Sequence, residues 1–169
     1  MADRAVPTAP KNGGDKKKKE KTKEDKAAER VHRKEKATQE LVDTEVTYNT
    51  LLGLLITHYV QPLQDYKLIT NDQHATLFPQ LQIIKGLSDK FLEDLKNRRE
   101  NWNPKESKLS DLFETFTPYF RMYQGYVNNH EKSVALMREL NEKEKWTEYC
   151  TSVRPLCQRF DLASYVLSH

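Results

Sequence analysis

Cysteine and glycine are scarce in this sequence, and familiar catalytic motifs are absent. The two cysteines, Cys150 and Cys157, match neither a CxxC redox pair nor the ligand spacing of a zinc site. The five histidines form no HExxH motif, and the five glycines form no loop that could cradle a phosphate. We therefore predict no catalytic residue, no metal site and no cofactor, and we interpret both thiols as buried packing residues.

Long apolar runs and targeting signals are also missing. The longest apolar run, from Leu51 to Ile56, is too short to span a membrane. The N-terminus has no apolar core of a signal peptide, and Ala2 stands where myristoylation needs a glycine. These features predict a protein of the cytosol or nucleus, and we expect a cytoplasmic location.

Charge is abundant but unevenly distributed. Charged residues make up 31% of the chain and apolar residues 37%, a balance that favours long exposed helices. Residues 1–36 hold 13 Lys and Arg against 7 Asp and Glu, whereas the remainder holds 15 against 18. We predict a disordered lysine-rich arm over residues 1–36 and a helical domain over residues 37–169. From about Lys23, helix formers with opposite charges three or four apart predict a charged lead-in to the first helix.

Prolines and polar cap residues divide the rest of the chain. The first long helix is expected to end before Pro62, because the residue ahead of a proline avoids helical backbone angles. A second region is expected to begin at Thr70, whose hydroxyl can cap the helix while Gln73 reaches back to the cap amide. Pro79 is expected to separate a short leading turn from the main helix.

Apolar residues three and four apart predict helices through the C-terminal half as well. Residues 97–107 are expected to form a polar loop, and the next helical region to begin at Ser107 or Ser110. Residues 156–169 are expected to form one short apolar helix. No alternating strand pattern is present, so the sequence predicts an all-α helical bundle.

Glu45 interrupts the apolar stripe of the first helix. At roughly 100° per residue, an apolar band is formed by Leu41, Tyr48, Leu52, Leu55 and Tyr59. Glu45 lies at the edge of this band. Its carboxylate could extend to water or pair with a lysine or arginine of a neighbouring helix, or it could be aimed at the polar groups of a partner protein.

The segment ELVDTEVTY at residues 40–48 resembles the first signature block of the Dbl homology domain, the RhoGEF domain of Rho-family guanine-nucleotide exchange factors. The matching residues are Glu40, Leu41, Thr44, Glu45 and Tyr48. The segments YVQPLQ at 59–64 and YFRMYQGYVNNHEKSVALMREL at 119–140 follow in the order and spacing of that family. The resemblance implies an elongated helical bundle that binds a Rho-family small GTPase and stabilises its nucleotide-free state.

The resemblance also implies which residues contact the GTPase. Glu45 would contact the first switch segment, with Leu41 and Thr44 beside it. LASYVLSH at 162–169 resembles the opening of the third block, in which Ser164 and Tyr165 match the family. The sequence stops at the start of that block, so we expect little exchange activity from these 169 residues alone.

Two other functions remain open. The chain could be a noncatalytic helical scaffold or competitor, and exposed apolar helix faces could lead to self-association. The lysine run Lys16, Lys17, Lys18, Lys19 could instead contact an anionic membrane. The acidic residues interleaved with the lysines of this arm weaken its attraction to a membrane, to nucleic acid and to an importin alike. Nucleic acid is not the expected partner, and a solvated tail with no partner is the alternative.

Overall fold

The computed structural model describes residues 22–158 and 161–167, with side chains described as far as Ser164. Within these ranges every regular element is helical and no strand occurs, as the sequence predicts. The α-helices, in order, are α1 Lys23–Leu55, α2 Gln61–Asp65, α3 Asn71–Leu77, α4 Leu81–Glu100, α5 Ser110–Phe116, α6 Tyr123–Asn128, α7 His130–Asn141, α8 Glu144–Val153 and α9 Leu162–Leu167. No described helix is long and apolar enough to cross a bilayer.

Helix α1 begins well ahead of the predicted domain boundary. Thr22 accepts from the amide of Asp25, and the Asp25 carboxylate accepts from the Thr22 amide, so a capping box starts the helix. Ion pairs one turn apart, such as Glu29 with Arg33, support the exposed first turns. The helical lead-in predicted from about Lys23 is confirmed, and the disorder predicted for residues 23–36 is wrong. Residues 1–21, including Lys16 to Lys19, lie outside the described residues.

The helical path continues past Pro62, where the sequence predicted an end. Residues Ile56–Val60 form a π-helical turn between α1 and α2, and Pro62 lies in the first turn of α2. A proline has no amide hydrogen for the carbonyl one turn earlier, which belongs to His58. The Tyr149 hydroxyl donates to that carbonyl at 2.5 Å instead. A side chain distant in sequence therefore allows the helix to continue.

Helix α3 begins as predicted. The Thr70 hydroxyl accepts from the Gln73 amide at 3.2 Å, and the Gln73 side chain accepts from the Thr70 amide at 3.0 Å. Pro79 lies in the break before α4, and Gln80 takes a positive φ of 57° at the start of that helix. The predicted loop at 97–107 begins too early, because α4 continues to Glu100.

Arginines at the end of α4 explain this extension. Arg98 hydrogen-bonds the Asp111 carboxylate through both terminal nitrogens, at 3.0 and 2.5 Å, and Arg99 pairs with Glu35 on α1. Basic side chains also interact favourably with the negative end of a helix dipole. A single helix over 156–169 is not observed either, since Leu156 lies in a 3-10 turn after α8 and α9 begins at Leu162.

The buried apolar residues form two clusters along α1 and α4. The main cluster joins the C-terminal half of α1 to the start of α4 and to α7, α8 and α9; it includes Leu52, Leu55, Tyr59, Leu63, Leu77, Ile84, Leu140, Trp146 and Leu162. The smaller cluster consists of Val42, Phe91, Leu95, Leu112 and Phe116. Cys157 is buried in the main cluster, as predicted for a packing residue, and Cys150 packs against it.

Candidate functional site

Glu45 lies on α1 between the two apolar clusters. Val42 belongs to the smaller cluster and Leu52 to the main one, so the intervening turns of α1 cross from one core to the other. Helix α4 packs alongside this stretch. The crossing is polar: Glu45 and Asn49 on α1 meet Ser88 and Asp89 on α4. We call these four residues the polar junction.

Hydrogen bonds connect the polar junction in series. The Ser88 hydroxyl donates to Oε1 of Glu45 at 2.6 Å. Nδ2 of Asn49 donates to Oγ of Ser88 at 3.1 Å and to Oδ1 of Asp89 at 2.8 Å. The Lys85 ammonium pairs with the same oxygen of Asp89. A cation on α4 is thereby linked through two side chains to the serine that bonds Glu45.

The electrostatics of the junction differ between its two carboxylates. The hydrogen bond from Lys85, with help from Asn49, lowers the pKa of Asp89. Burial raises the pKa of Glu45, and the Ser88 hydrogen bond offsets part of that rise. Among the described residues no lysine or arginine pairs with Glu45. The predicted ion pair with a lysine or arginine of its own bundle is therefore not found in the described part of the chain.

Tyrosine hydroxyls lie beside Glu45. Tyr48 on α1 donates to the Tyr123 hydroxyl at 3.0 Å. Burial raises the pKa of both tyrosines, and the negative charge of Glu45 raises each further. Burial alone raises the pKa of the neighbouring Tyr126 to about 12. Two uncharged phenol groups, those of Tyr48 and Tyr123, thus lie near a carboxylate that pairs with no cation among the described residues.

An aromatic surface continues from Tyr123. Phe120 lies 6.3 Å from the Tyr123 ring and 6.0 Å from the Phe91 ring, both in edge-to-face geometry. Phe120 is 37% exposed and Tyr119, which stacks near Phe116, is 52% exposed. The polar junction is therefore flanked by rings that are packed on one side and open to solvent on the other.

The other predicted contact residues lie in two places. Leu41 packs against the smaller cluster, whereas Thr44 is exposed. Leu41, Thr44 and Glu45 lie within about one turn of α1. Ser164 lies on α9, where its amide and hydroxyl donate to Oδ1 of Asp161 at 2.7 and 2.6 Å. Helix α9 contacts α1. Tyr165 is also in α9, and its side chain lies outside those described.

We did not anticipate Ser88, Asn49 or the Lys85–Asp89 pair from the sequence. A signal for Ser88 was present, because it falls on the same face of α4 as Ile84, Phe91 and Leu95. A serine inside an apolar stripe on one helix could have been matched to a glutamate inside an apolar stripe on another. Asn49 lies one turn after Glu45 on the side of α1 that faces α4, but a partly exposed asparagine at the edge of an apolar stripe carries no comparable signal.

Comparison with known proteins assigns the family. The family model described as RhoGEF domain matches residues 37–168 of this chain. The chain belongs to the RhoGEF domain family. Guanine exchange factor for Rac 30 of Dictyostelium discoideum is 28% identical over 116 residues, covering 69% of this chain and 7% of that protein. Rho guanine nucleotide exchange factor 5 of Mus musculus is 28% identical over 137 residues, covering 79% and 9%.

Solved RhoGEF structures share the fold. The DH/PH domains of p115-RhoGEF superpose with a TM-score of 0.75 at 16% identity, covering 83% of this chain and 43% of that one. The DH/PH domains of PDZ-RhoGEF, solved in complex with GTP-gamma-S activated RhoA, give 0.71 at 20% identity, covering 82% and 41%. At these identities the likeness establishes the helical fold alone.

Proposed function

We propose that this RhoGEF domain acts on a Rho-family small GTPase by binding its nucleotide-free state more tightly than its nucleotide-loaded state. The observation that carries the proposal is Glu45. Its carboxylate is partly buried between α1 and α4, receives one hydrogen bond from Ser88 and pairs with no described cation. Burial of an unpaired carboxylate lowers stability, and a binding role accounts for its presence at the junction.

The proposed activity needs no covalent chemistry. A protein that binds one state of a partner better than another shifts the partner's equilibrium by its difference in affinity. Contacts that form only with the nucleotide-free GTPase therefore accelerate nucleotide release. The same reasoning relates binding of a transition state to the rate of a reaction. Glu45 would supply part of this difference by holding the first switch segment of the GTPase away from the nucleotide.

A single carboxylate cannot supply the whole interface. Stable protein complexes bury about 800 Å² on each partner, which requires a surface around Glu45. We assign Leu41 and Thr44 to this surface, because they flank Glu45 on α1. We also assign Ser164 and Tyr165, because α9 contacts α1.

The names of the relatives suggest which GTPases to test. One relative is a guanine exchange factor for Rac, and one structural neighbour was solved with RhoA. A panel containing both a Rac and RhoA therefore samples the two GTPases that the comparisons mention.

The direct test measures binding of the full 169-residue chain to each GTPase in two states, nucleotide-free and GDP-loaded. We expect a dissociation constant at least about tenfold lower for the nucleotide-free state, which corresponds to about 1.4 kcal/mol. Equal affinity for both states, or no binding across the panel, would refute the proposal. Rapid release of labelled GDP at catalytic amounts of protein would refute only the expectation of weak exchange.

A noncatalytic scaffold is the second candidate function. The observation that favours it is the aromatic surface around Tyr119 and Phe120, which is exposed and could hold a partner protein without reference to nucleotide. A scaffold of this kind would bind GDP-loaded and nucleotide-free GTPase equally, or would not bind GTPases at all. Its binding would also be insensitive to Glu45→Ala.

A further inference from the structure

Ser88 is an unusual residue for its position on α4. Its side chain is 2% exposed and lies on the face that carries Ile84 and Phe91 into the two apolar clusters. Burial of a hydroxyl costs stability unless both its donor and its acceptor functions are used. Both are used here, because Ser88 donates to Glu45 and accepts from Asn49.

Asp89, the last residue of this series, determines which atoms donate and which accept in these hydrogen bonds. Asp89 is paired with Lys85 and its lowered pKa keeps it ionised, so it can only accept hydrogen bonds. The Asn49 amide must therefore present its NH2 group, which lies within hydrogen-bond distance of both Asp89 and Ser88. An NH2 donor occupies a lone pair of the Ser88 oxygen. The single hydroxyl hydrogen of Ser88 is then directed to Glu45.

This arrangement engages one oxygen of Glu45 and leaves the other accessible. Oε1 accepts from Ser88, whereas no hydrogen bond reaches Oε2 from the described part of the chain. Oε2 is not a fully buried atom. It therefore keeps some contact with solvent. A carboxylate held at one oxygen and open at the other is restricted in rotation but can still accept a hydrogen bond from a partner.

We propose that Ser88, oriented by Asn49, is a positioning residue that holds the Glu45 carboxylate in its GTPase-binding orientation. This inference rests on the proposed function of Glu45. Ser88 itself is buried and does not touch the GTPase. The other polar groups near Glu45 are the hydroxyls of Tyr48 and Tyr123, which stay uncharged, and the Lys85–Asp89 pair, which carries no net charge.

The test compares Ser88→Ala with Ser133→Ala in the full 169-residue chain. Ser133 on α7 is a matched control, because it is 3% exposed and donates at 2.8 Å to the Thr76 carbonyl, remote from the polar junction. Affinity for a nucleotide-free Rho-family GTPase is measured as a function of pH. At neutral pH we expect Ser88→Ala to weaken binding about tenfold, or about 1.4 kcal/mol, and Ser133→Ala to leave it unchanged.

The pH dependence of binding distinguishes a positioning role of Ser88 from a general effect of the substitution on stability. The Ser88 hydrogen bond lowers the pKa of Glu45, so its loss should move the acid-side fall in affinity to higher pH. Asn49→Ala, at a partly exposed position, should shift the profile in the same direction by a smaller amount. It provides a second measurement if Ser88→Ala folds poorly. A profile that does not move in either variant would overturn the inference.

Glu45→Gln distinguishes failure of this inference from failure of the proposed function. If Glu45→Gln binds the GTPase as well as the unmodified chain does, both ideas are wrong. If Glu45→Gln weakens binding but Ser88→Ala does not, only the positioning role is wrong. In a chain that already carries Glu45→Gln, adding Ser88→Ala should have little further effect on affinity, because glutamine does not titrate and has already lost the charge that Ser88 orients.

Discussion

Replacing Glu45 by glutamine should stabilise the isolated domain at neutral pH, although it should weaken GTPase binding. The carboxylate is partly buried, and burial raises its pKa more than the Ser88 hydrogen bond lowers it. Its charged form is therefore a net cost to the folded state. Glutamine is similar in size, is uncharged at every pH, and keeps an oxygen that can accept from Ser88.

The size of the effect follows from two opposing contributions. Complete burial of an ion costs several kcal/mol, and Glu45 is only partly buried, so roughly half of that cost applies. The hydrogen bond from Ser88 to the charged acceptor contributes about 1.5–3 kcal/mol, of which glutamine keeps about 0.5–1.5 kcal/mol as a neutral hydrogen bond. We expect a net gain of about 1 kcal/mol for Glu45→Gln. In a protein of this length that gain corresponds to a rise of about 2–4 °C in melting temperature.

The pH dependence has a definite sign. Because the pKa of Glu45 is raised by folding, its contribution to stability is greatest below the unfolded pKa of glutamate, about 4.3. That contribution is lost as the pH rises through the higher folded value. The advantage of Glu45→Gln should thus be small in acid and reach its full size near neutral pH.

Thermal unfolding followed by circular dichroism across this pH range measures the difference. Glu93→Gln is a suitable control, because Glu93 is an exposed glutamate on α4 whose ion pair within the described residues is with Lys90. A Glu45→Gln variant that is less stable than the unmodified chain near neutral pH would refute the reasoning. So would a stability difference that does not change with pH.

Four further predictions concern the rest of the chain. Phe91→Ala should cost about 3–5 kcal/mol of unfolding free energy in a denaturant titration, because Phe91 fills the smaller cluster. Self-association detected by sedimentation should be reduced by Phe120→Ser, which removes an exposed ring. Cys157 should react with a thiol reagent only on unfolding, because it is buried and burial raises its pKa. Binding to anionic vesicles should fall with added salt and with deletion of residues 1–21, because this deletion removes the run at 16–19 and leaves helix α1 intact.

Local chemistry was the part of the fold that could be predicted from the sequence. The capping box at Thr70 and Gln73 involves residues three apart, so its geometry is set within one turn. The break at Pro79 is similarly local. The all-α class followed from apolar residues three and four apart, which specify one buried face on each helix.

Elements that depend on distant contacts were predicted wrongly. The passage through Pro62 needs a π-helical turn and the Tyr149 hydroxyl, and no local rule indicates either of them. The extension of α4 to Glu100 depends on pairs from Arg98 to Asp111 and from Arg99 to Glu35 on other elements. Those pairs exist only after the helices have packed.

In the candidate site too, local features could be predicted more readily than features that depend on contacts between helices. Glu45 could be singled out from the sequence because it interrupts an apolar stripe and lies within a recognisable block. Its partner Ser88 leaves a weaker signal as an interruption of the apolar stripe of α4, but the pairing of Glu45 with Ser88 depends on the register between α1 and α4. Sequence periodicity specifies the faces of two helices, but it does not specify how far one is shifted along the other.

The most direct test of the central claim is the affinity of Glu45→Gln for a nucleotide-free Rho-family GTPase, measured beside the unmodified chain and Glu93→Gln. Removal of the charge should raise the dissociation constant at least about tenfold, while Glu93→Gln should leave it unchanged. Circular dichroism should show that all three proteins are folded. Equal dissociation constants for all three would contradict the proposal that Glu45 binds the GTPase.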